Sequence, residues 1–457
     1  MKPPLTTALR VLMIASAALT LEQATATQPP SPVDPSPING ETYYLINQLS
    51  GMQADLNPGS TANGDNVIQN PRGFSMLSQR WAMTKTANGN WKISNISNGL
   101  CMDSASAQGA VWAVQNPCGF AVPSQEWSFT YVTNGYNTIT NAGSRLVLDA
   151  SSSSRSAGAK LIQSSLSGPA TQSQLWLFRP VYFRGNDMST ASKEEFARVA
   201  HNVIWWHDAY LPGQDILQIF KNHGMNMIRL RPASINTTVV SGNVSFPLTF
   251  APYSNYTLSG LPGSQIIPAS SNSSAPGGAS SGNHAQTDWS AIDLAKRAKN
   301  LGMSVNVTLF YSGDNTAETP GNWAGKTLDQ LAGVPPNAGL MYNYVKQEME
   351  LFRANGVMPD LVAIGNEVNT GMFSTSPVNG LSDGSCSPTG TGGGACFVQI
   401  QQAAMQAIVD AASDISDPAL GPPLPPPLRC IHIDGNPDLQ TFFQGATKTN
   451  GIPIDAI

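Results

Sequence analysis

The pair Asn366-Glu367 follows one glycine after the apolar run Leu361-Val362-Ala363-Ile364. A short apolar run after a helical stretch reads as a buried strand, so the pair sits where that strand ends. A carboxyl group there can hand a proton to the leaving oxygen of a glycosidic bond. An amide beside it can bond the sugar hydroxyl next to the reacting carbon. An Asn-Glu dipeptide alone is common, and its plainer reading is a polar pair on a surface loop. Position gives it weight, because barrel enzymes carry their chemistry at the C-terminal ends of their strands. The five His are scattered and no Cys-x-x-Cys occurs, so no metal cluster is indicated. The run Gly390-Thr391-Gly392-Gly393-Gly394-Ala395 lacks the strand-turn-helix setting and the Lys of a phosphate loop. No cofactor is expected.

The elements that must position this pair have a common rhythm. Three amphipathic runs end in a cation and a glycine before an apolar strand: Lys221 to Gly224, Lys299 to Gly302, and Arg353 to Gly356. A glycine just past a helix supplies the left-handed cap, and the cation complements the helix dipole. Repeated helix-to-strand units with apolar strands imply a parallel sheet, and the size favours a (β/α)8 TIM barrel. Strands are expected near 182–184, 226–231, 303–311, 360–366 and 428–434, with a sixth beginning at Ile454. Ser/Gly/Pro-rich insertions at 241–285 and 371–427 use much of the remaining length. Eight strands do not fit, so an incomplete α/β barrel is expected over 181–457.

The preceding segment carries a different repeat. Gln79/Trp81, Gln125/Trp127 and Gln174/Trp176 form three Gln-x-Trp triplets whose tryptophans lie 46 and 49 residues apart. Each triplet has an upstream acid in an apolar frame, Asp55, Asp103 and Asp149, and a second glutamine, Gln69, Gln115 and Gln163. A fixed period of this size means a repeat architecture. Three strand-rich units closing on a pseudo-threefold axis make an all-β β-trefoil, placed at 41–180. The segment resembles the ricin B-type lectin domain. That resemblance implies a core built on the triplets, a disulfide between Cys101 and Cys118, and lectin-site candidates at Asp55, Asp103 and Asp149. Asn70, Asn116 and Ser164 stand at the positions read as its sugar-stacking platforms, and none is aromatic.

The N-terminus has Lys2 and Arg10, a short apolar run from Val11 to Leu21, and Ala24-Thr25-Ala26. This is the pattern of a secretory signal peptide over 1–26, followed by a Pro/Ser linker at 27–40 that is not expected to pack. Sequons at Asn95, Asn236, Asn243, Asn255 and Asn272 fit a secreted glycoprotein; a sixth, Asn306, sits in an apolar strand and is expected to be unmodified. Cys386 and Cys396 flank a Gly-rich loop and are expected to close it; Cys430 reads as a buried thiol on a strand or as a cysteine whose partner is missing from this chain. Charged residues make up 12% and the net charge is −5, which argues against nucleic acid or an anionic membrane as partner. A monomer acting on a neutral polysaccharide is expected.

The second half resembles glycoside hydrolase family 53. The carriers are Asp215 to Gly224, Ile228-Arg229-Leu230-Arg231, Leu294 to Lys299, Tyr311-Ser312, Pro320 to Trp323, Asn366-Glu367 and His432-Ile433-Asp434, in collinear order over 182–457. The resemblance implies a retaining endo-β-1,4-galactanase acting on arabinogalactan, with Glu367 as acid/base. Asn366 and Arg229 or Arg231 would line the reacting subsite, with His432 and Asp434 beside it. Arg231 reads equally well as half of a structural ion pair. The family draws its nucleophile from a later strand, beyond Ile457. The chain departs from the family at Phe310-Tyr311-Ser312-Gly313, where His-Tyr-Ser-Asp is usual, and at Pro232-Ala233, which replaces an aromatic. Trp205-Trp206 reads as loop packing or a sugar-stacking pair. The alternative function is a non-catalytic carbohydrate-binding protein with a truncated, inactive barrel.

Overall fold

The computed structural model describes residues 35–57, 60–73, 76–104, 111–189, 191, 207–208, 211–212, 216–232, 238–240, 243–245, 288–309, 338–366, 368, 394–433 and 439–455. Twelve strands come first. The first repeat holds β1 (Thr42–Asn47), β2 (Gln53–Leu56), β3 (Val67–Asn70) and β4 (Trp81–Lys85). The second holds β5 (Trp91–Asn95), β6 (Cys101–Ser104), β7 (Val111–Asn116) and β8 (Trp127–Thr133). The third holds β9 (Tyr136–Asn141), β10 (Val147–Ala150), β11 (Leu161–Ser164) and β12 (Trp176–Pro180). Antiparallel pairing runs β1–β4–β5–β8–β9–β12 and back to β1, which closes a barrel. The hairpins β2–β3, β6–β7 and β10–β11 complete the three units.

Trp81, Trp127 and Trp176 are each 0% exposed at the centre of this trefoil. Each indole N–H donates to the carbonyl just before the repeat's acid: Ala54 at 2.9 Å, Met102 at 3.1 Å and Leu148 at 2.9 Å. The bond satisfies the one polar atom of a large buried ring and ties the end of each repeat to its start. Cys101 and Cys118 form the expected disulfide. Asn95 corrects the glycosylation reading. It is 1% exposed, its amide donates to Ser78 O at 2.7 Å, and its oxygen accepts from Ser97. An acceptor nitrogen held in that way is closed to a glycosyl donor.

The second half is a parallel sheet of five described strands in the order β13–β16–β19–β20–β21. They are β13 (Gly185–Asp187), β16 (Met227–Leu230), β19 (Ser304–Leu309), β20 (Leu361–Ile364) and β21 (Leu428–Cys430). Two short hairpins lie between β13 and β19: β14 (His207–Asp208) with β15 (Leu211–Pro212), and β17 (Thr238–Val240) with β18 (Asn243–Ser245). The helices are α1 (Ile216–Asn222), α2 (Asp288–Asn300), α3 (Ala338–Ala354), α4 (Ala395–Ser413) and α5 (Leu439–Gln444). All three cap glycines are left-handed, with φ of +85° at Gly224, +67° at Gly302 and +73° at Gly356.

The first strand starts later than the 182–184 expected. Residue 184 is used as a joint instead: its backbone N–H bonds Asn226 Oδ1 at 2.7 Å and its guanidinium pairs with Glu41 at 2.6 Å. Gly185 then opens β13 because a Cβ there would lie 2.2 Å from Met227 O. The third strand is described to Leu309, with the rest of its expected range outside the described residues, and the fifth ends at Cys430, short of the expected bound. Where a sixth strand was expected, Asp455 N–H bonds Arg429 O at 2.7 Å.

The trefoil sits against the segments that lead into the strands of this sheet. Ile46, Tyr136, Leu175 and Leu177 join one apolar core with the barrel helices and strands. Asn134 Oδ1 accepts from Met358 N–H at 3.1 Å, and Gln172 Nε2 donates to Pro423 O at 2.9 Å. Lys299 and Asp360, 2% and 1% exposed, pair at 2.6 Å under Gly135 and Leu177 of the trefoil. Part of the predicted linker packs here, contrary to expectation. Pro37 is buried, Ser36 O accepts from Lys221 Nζ at 2.9 Å, and Pro35 O lies against Gly302. Proline segments lose little further entropy on ordering and offer solvated carbonyls for such contacts. A Cβ at Gly302 would meet Pro35 O at 2.2 Å, so this glycine serves both the cap and the docking.

Helices α3 and α4 pack side by side, and Asp414 at the end of α4 ties them together. The Lys346 ammonium, then the Ser416 backbone N–H and hydroxyl, hold its carboxyl well below the usual carboxylate range. A depressed carboxylate contributes stability that is present above the ordinary Asp pKa of about 4 and is lost as pH falls below it. Acidification from pH 5 to pH 3 should therefore speed amide exchange across 395–413, after correction for intrinsic rates. Unchanged protection over that window would show that the pair contributes nothing.

Candidate functional site

A polar cluster lies at the C-terminal edge of the parallel sheet, on the side away from the trefoil. Arg229, on β16, is its hub. Its Nε donates to Thr308 Oγ1 on β19 at 2.9 Å, its Nη1 to Asp187 Oδ2 on β13 at 3.1 Å, and its Nη2 to Asn366 Oδ1 at 2.5 Å. One rigid guanidinium thus joins four neighbouring strands, using the planar fork that distinguishes Arg from Lys. Asp187 also takes the Ser189 N–H at 3.0 Å and the Ser189 hydroxyl. Arg231 Nε lies 2.7 Å from Asp187 Oδ2 but is not aligned as a hydrogen bond to it. The ion-pair reading of Arg231 therefore has a geometric basis.

Asn366 is 2% exposed and is set by its neighbours. β20 ends at Ile364, and Gly365 takes φ +82°, which turns the chain off the strand as only glycine does readily. Gln401 on α4 donates to Ile364 O at 3.3 Å and secures that turn. Because a guanidinium only donates, the oxygen of Asn366 must face Arg229. Its Nδ2 is the group turned elsewhere, in the position immediately before Glu367. His432 lies beyond β21, half-buried, and its backbone carbonyl accepts from Val368 N–H at 3.0 Å. Glu367 and Asp434 lie outside the described residues, as do Trp205, Trp206 and Cys386. Cys396 is disulfide-bonded. Cys430 is buried with a free thiol, and burial pushes its pKa up to about 12.

Arg229, Arg231 and Asn366 are thus brought together, and His432 joins them through the backbone of Val368. Asp187 and Thr308 were not foreseen. Gly185-Asn186-Asp187 ends in a polar pair like Gly365-Asn366-Glu367, but a first strand read at 182–184 leaves Asp187 outside it. Thr308 is β-branched inside an apolar strand, and nothing in sequence separates it from core.

In the trefoil, the three acids sit in matching polar clamps. Asp55 Oδ2 accepts from Asn70 at 2.9 Å and from Gln79 at 3.1 Å, and Oδ1 from Leu56 N–H at 2.8 Å. Asp103 accepts from Asn116 and Gln125, each at 3.0 Å, and from Ser104 N–H at 2.7 Å. In the third repeat, Ser164 replaces the asparagine and donates to Asp149 Oδ2 at 2.6 Å, with Gln174 at 3.5 Å. Asp149 Oδ1 has no hydrogen-bond donor, and Asp149 is half-buried where the other two acids are buried. Asn70, Asn116 and Ser164 are therefore partners of the acids and not sugar-stacking platforms.

Residues 268–416 match the model of glycosyl hydrolase family 53. Residues 41–176 match the ricin-type beta-trefoil lectin domain. The family 53 match begins after β16 and includes Thr308, Asn366 and Glu367. A probable arabinogalactan endo-beta-1,4-galactanase A of Aspergillus terreus is 38% identical over 87 residues, which are 18% of this chain and 23% of the relative. Arabinogalactan endo-beta-1,4-galactanase A of Emericella nidulans is 34% identical over 87 residues, again 18% of this chain and 23% of that protein. The chain thus spans about a quarter of the length of the curated relatives it matches. Among solved structures, the designed three-fold symmetric protein ThreeFoil is 28% identical with a TM-score of 0.28, covering 30% of this chain and 97% of its own.

Proposed function

We propose that this chain is a secreted endo-β-1,4-galactanase acting on arabinogalactan by a retaining mechanism, with residues 181–457 as hydrolase domain and 41–180 as carbohydrate-binding domain. The observation that carries the reading is the Arg229 hub, which holds Asn366 at the sheet's C-terminal edge one residue before Glu367. The family 53 match over that same strand supports it.

In the reaction, Glu367 donates a proton to the glycosidic oxygen as the bond from that oxygen to C1 breaks. A carboxylate on the opposite face of the ring forms the glycosyl-enzyme ester. Water then attacks C1, and Glu367 takes its proton. Asn366 Nδ2 donates to the sugar hydroxyl adjacent to C1, held in register by Arg229. Asp187 is the described carboxylate nearest to this cluster, and it is engaged by Arg229 and Ser189. It acts here as the anchor of Arg229 and not as the nucleophile. His432 and Asp434 line the neighbouring subsite.

The trefoil holds the enzyme on its polymer and raises local concentration. Among the three acids Asp149 is the one best placed to meet a sugar hydroxyl, because it is half-buried where Asp55 and Asp103 are buried. Secretion is supported by the segment 1–26 and by the Cys101–Cys118 disulfide.

Replacing Arg229 with Ala frees Asn366 and leaves Asp187 with Arg231 as its described cation beside the Ser189 bonds. Turnover of β-1,4-galactan should fall by about 10²-fold, as for loss of a positioning group at a reacting centre, with carbohydrate binding by the trefoil unchanged. Assays against β-1,4-galactan and other β-linked glycans, alongside pull-down on insoluble galactan, test the reading. Binding without turnover of any glycan would leave a carbohydrate-binding protein only.

A further inference from the structure

At the seam between trefoil and parallel sheet lies a cavity of about 220 Å³. Its walls carry Arg72 and Arg179 from the trefoil and Arg429 from the sheet, against one carboxylate, Asp455. Arg72 pairs with Asp455, and Arg429 reaches the same carboxylate at 3.0 Å through its side chain and 2.9 Å through its backbone. Burial pushes the Asp455 pKa up, but the Arg429 hydrogen bonds and the Arg72 charge outweigh it and hold the group below its ordinary value. Asp455 is therefore ionised and already committed to two cations.

Arg179 is the unbalanced member. It is 6% exposed and its Nε has no hydrogen-bond partner. Asp360 is a charge neighbour, but its Oδ2 is taken by Lys299 at 2.6 Å and by Val305 N–H at 2.8 Å. Three arginines and one aspartate leave the cavity with a net charge of +2 (3 − 1). Gln53, on the same wall, has a buried Oε1 without a partner. Both Arg179 Nε and Gln53 Oε1 are themselves buried, and it is the rest of the Arg179 side chain that lines the space with Arg72 and Arg429. Buried charges of this kind are costly unless something pairs with them.

We infer that this seam cavity is a binding site for a small oxyanion, whose anionic oxygens face Arg179 and Arg72. Arginine forks suit carboxylate and phosphate geometry. The volume is below that of drug-sized pockets, roughly 300–1,000 Å³, and suits a monosaccharide acid or a hydrogen phosphate ion. Such a ligand would touch both halves of the chain and brace their contact. The inference is independent of the reaction assigned to Glu367.

The test is titration calorimetry on the full chain with sodium phosphate, with a hexuronate, and with neutral galactose as control, in wild type, Arg179→Gln and Arg72→Gln. Saturable binding of phosphate or of the uronate, at least tenfold weaker in both variants, is the expected result, with any heat from galactose the same in wild type and variants. Binding of phosphate alone identifies an inorganic ion as the source, and binding of the uronate alone an acidic sugar. If Arg179→Gln does not fold, the partly exposed Arg72 decides. No saturable heat with either anion, or equal affinity in a folded variant, overturns the inference.

Discussion

Glu367→Gln should lower the turnover of β-1,4-galactan by roughly 10²–10⁴-fold, the range for loss of a general acid or base. The glutamine keeps size and polarity but cannot release a proton. The deficit should depend on the leaving group. An aryl β-galactoside with an acidic phenol needs no protonation, so its first bond cleavage should stay near the wild-type rate while the second, base-assisted step slows. A burst of phenol followed by slow turnover is the expected trace. Equal loss on both substrates would mean that Glu367 supports structure and does not transfer the proton.

The second large effect concerns the contact between the two halves. Lys299→Met should destabilise the protein by about 3–5 kcal/mol, because it strands the Asp360 carboxylate in a site 1% exposed. Adding Asp360→Asn should recover more than half of that loss, since the amide carries no charge to strand and can still accept from Val305 N–H. Urea denaturation of the wild type, the single variant and the double variant reads this directly. A single variant within about 1 kcal/mol of wild type would show that the pair behaves as a solvated surface contact.

The parts of the fold that were legible in sequence are those where local chemistry has few alternatives. The three cap glycines announced their helices because left-handed backbone and a terminal cation rarely coincide elsewhere. The Gln-x-Trp triplets announced the trefoil because the tryptophans must meet at one axis. What sequence did not show depends on contacts between distant segments. The Pro/Ser stretch read as linker by composition, yet Pro35 and Pro37 pack at the seam because Gly302 leaves room for a carbonyl. Asn47 and Asn141 resemble Asn95 in tying their turns to the third and second repeats, through Ser173 O at 2.8 Å and Ser124 O at 2.7 Å. Their equivalence hides in sequence, where Asn95 reads as a sequon.

In the site, Arg229 and Asn366 were visible as residues but not as partners. Three strand residues and Asn366, just past the end of β20, meet through one guanidinium, and only the register of the sheet states that. Asp187 pairs across from Arg229 in β13–β16, a relation invisible without the strand start at Gly185.

The most direct test of the account is the anomeric configuration of the first product that the purified protein releases from β-1,4-galactan, followed by proton NMR before mutarotation. The account predicts new reducing ends that appear first as the β-anomer, with the signal lost in Glu367→Gln. First appearance of the α-anomer, or wild-type protein that binds galactan and releases nothing, would contradict it.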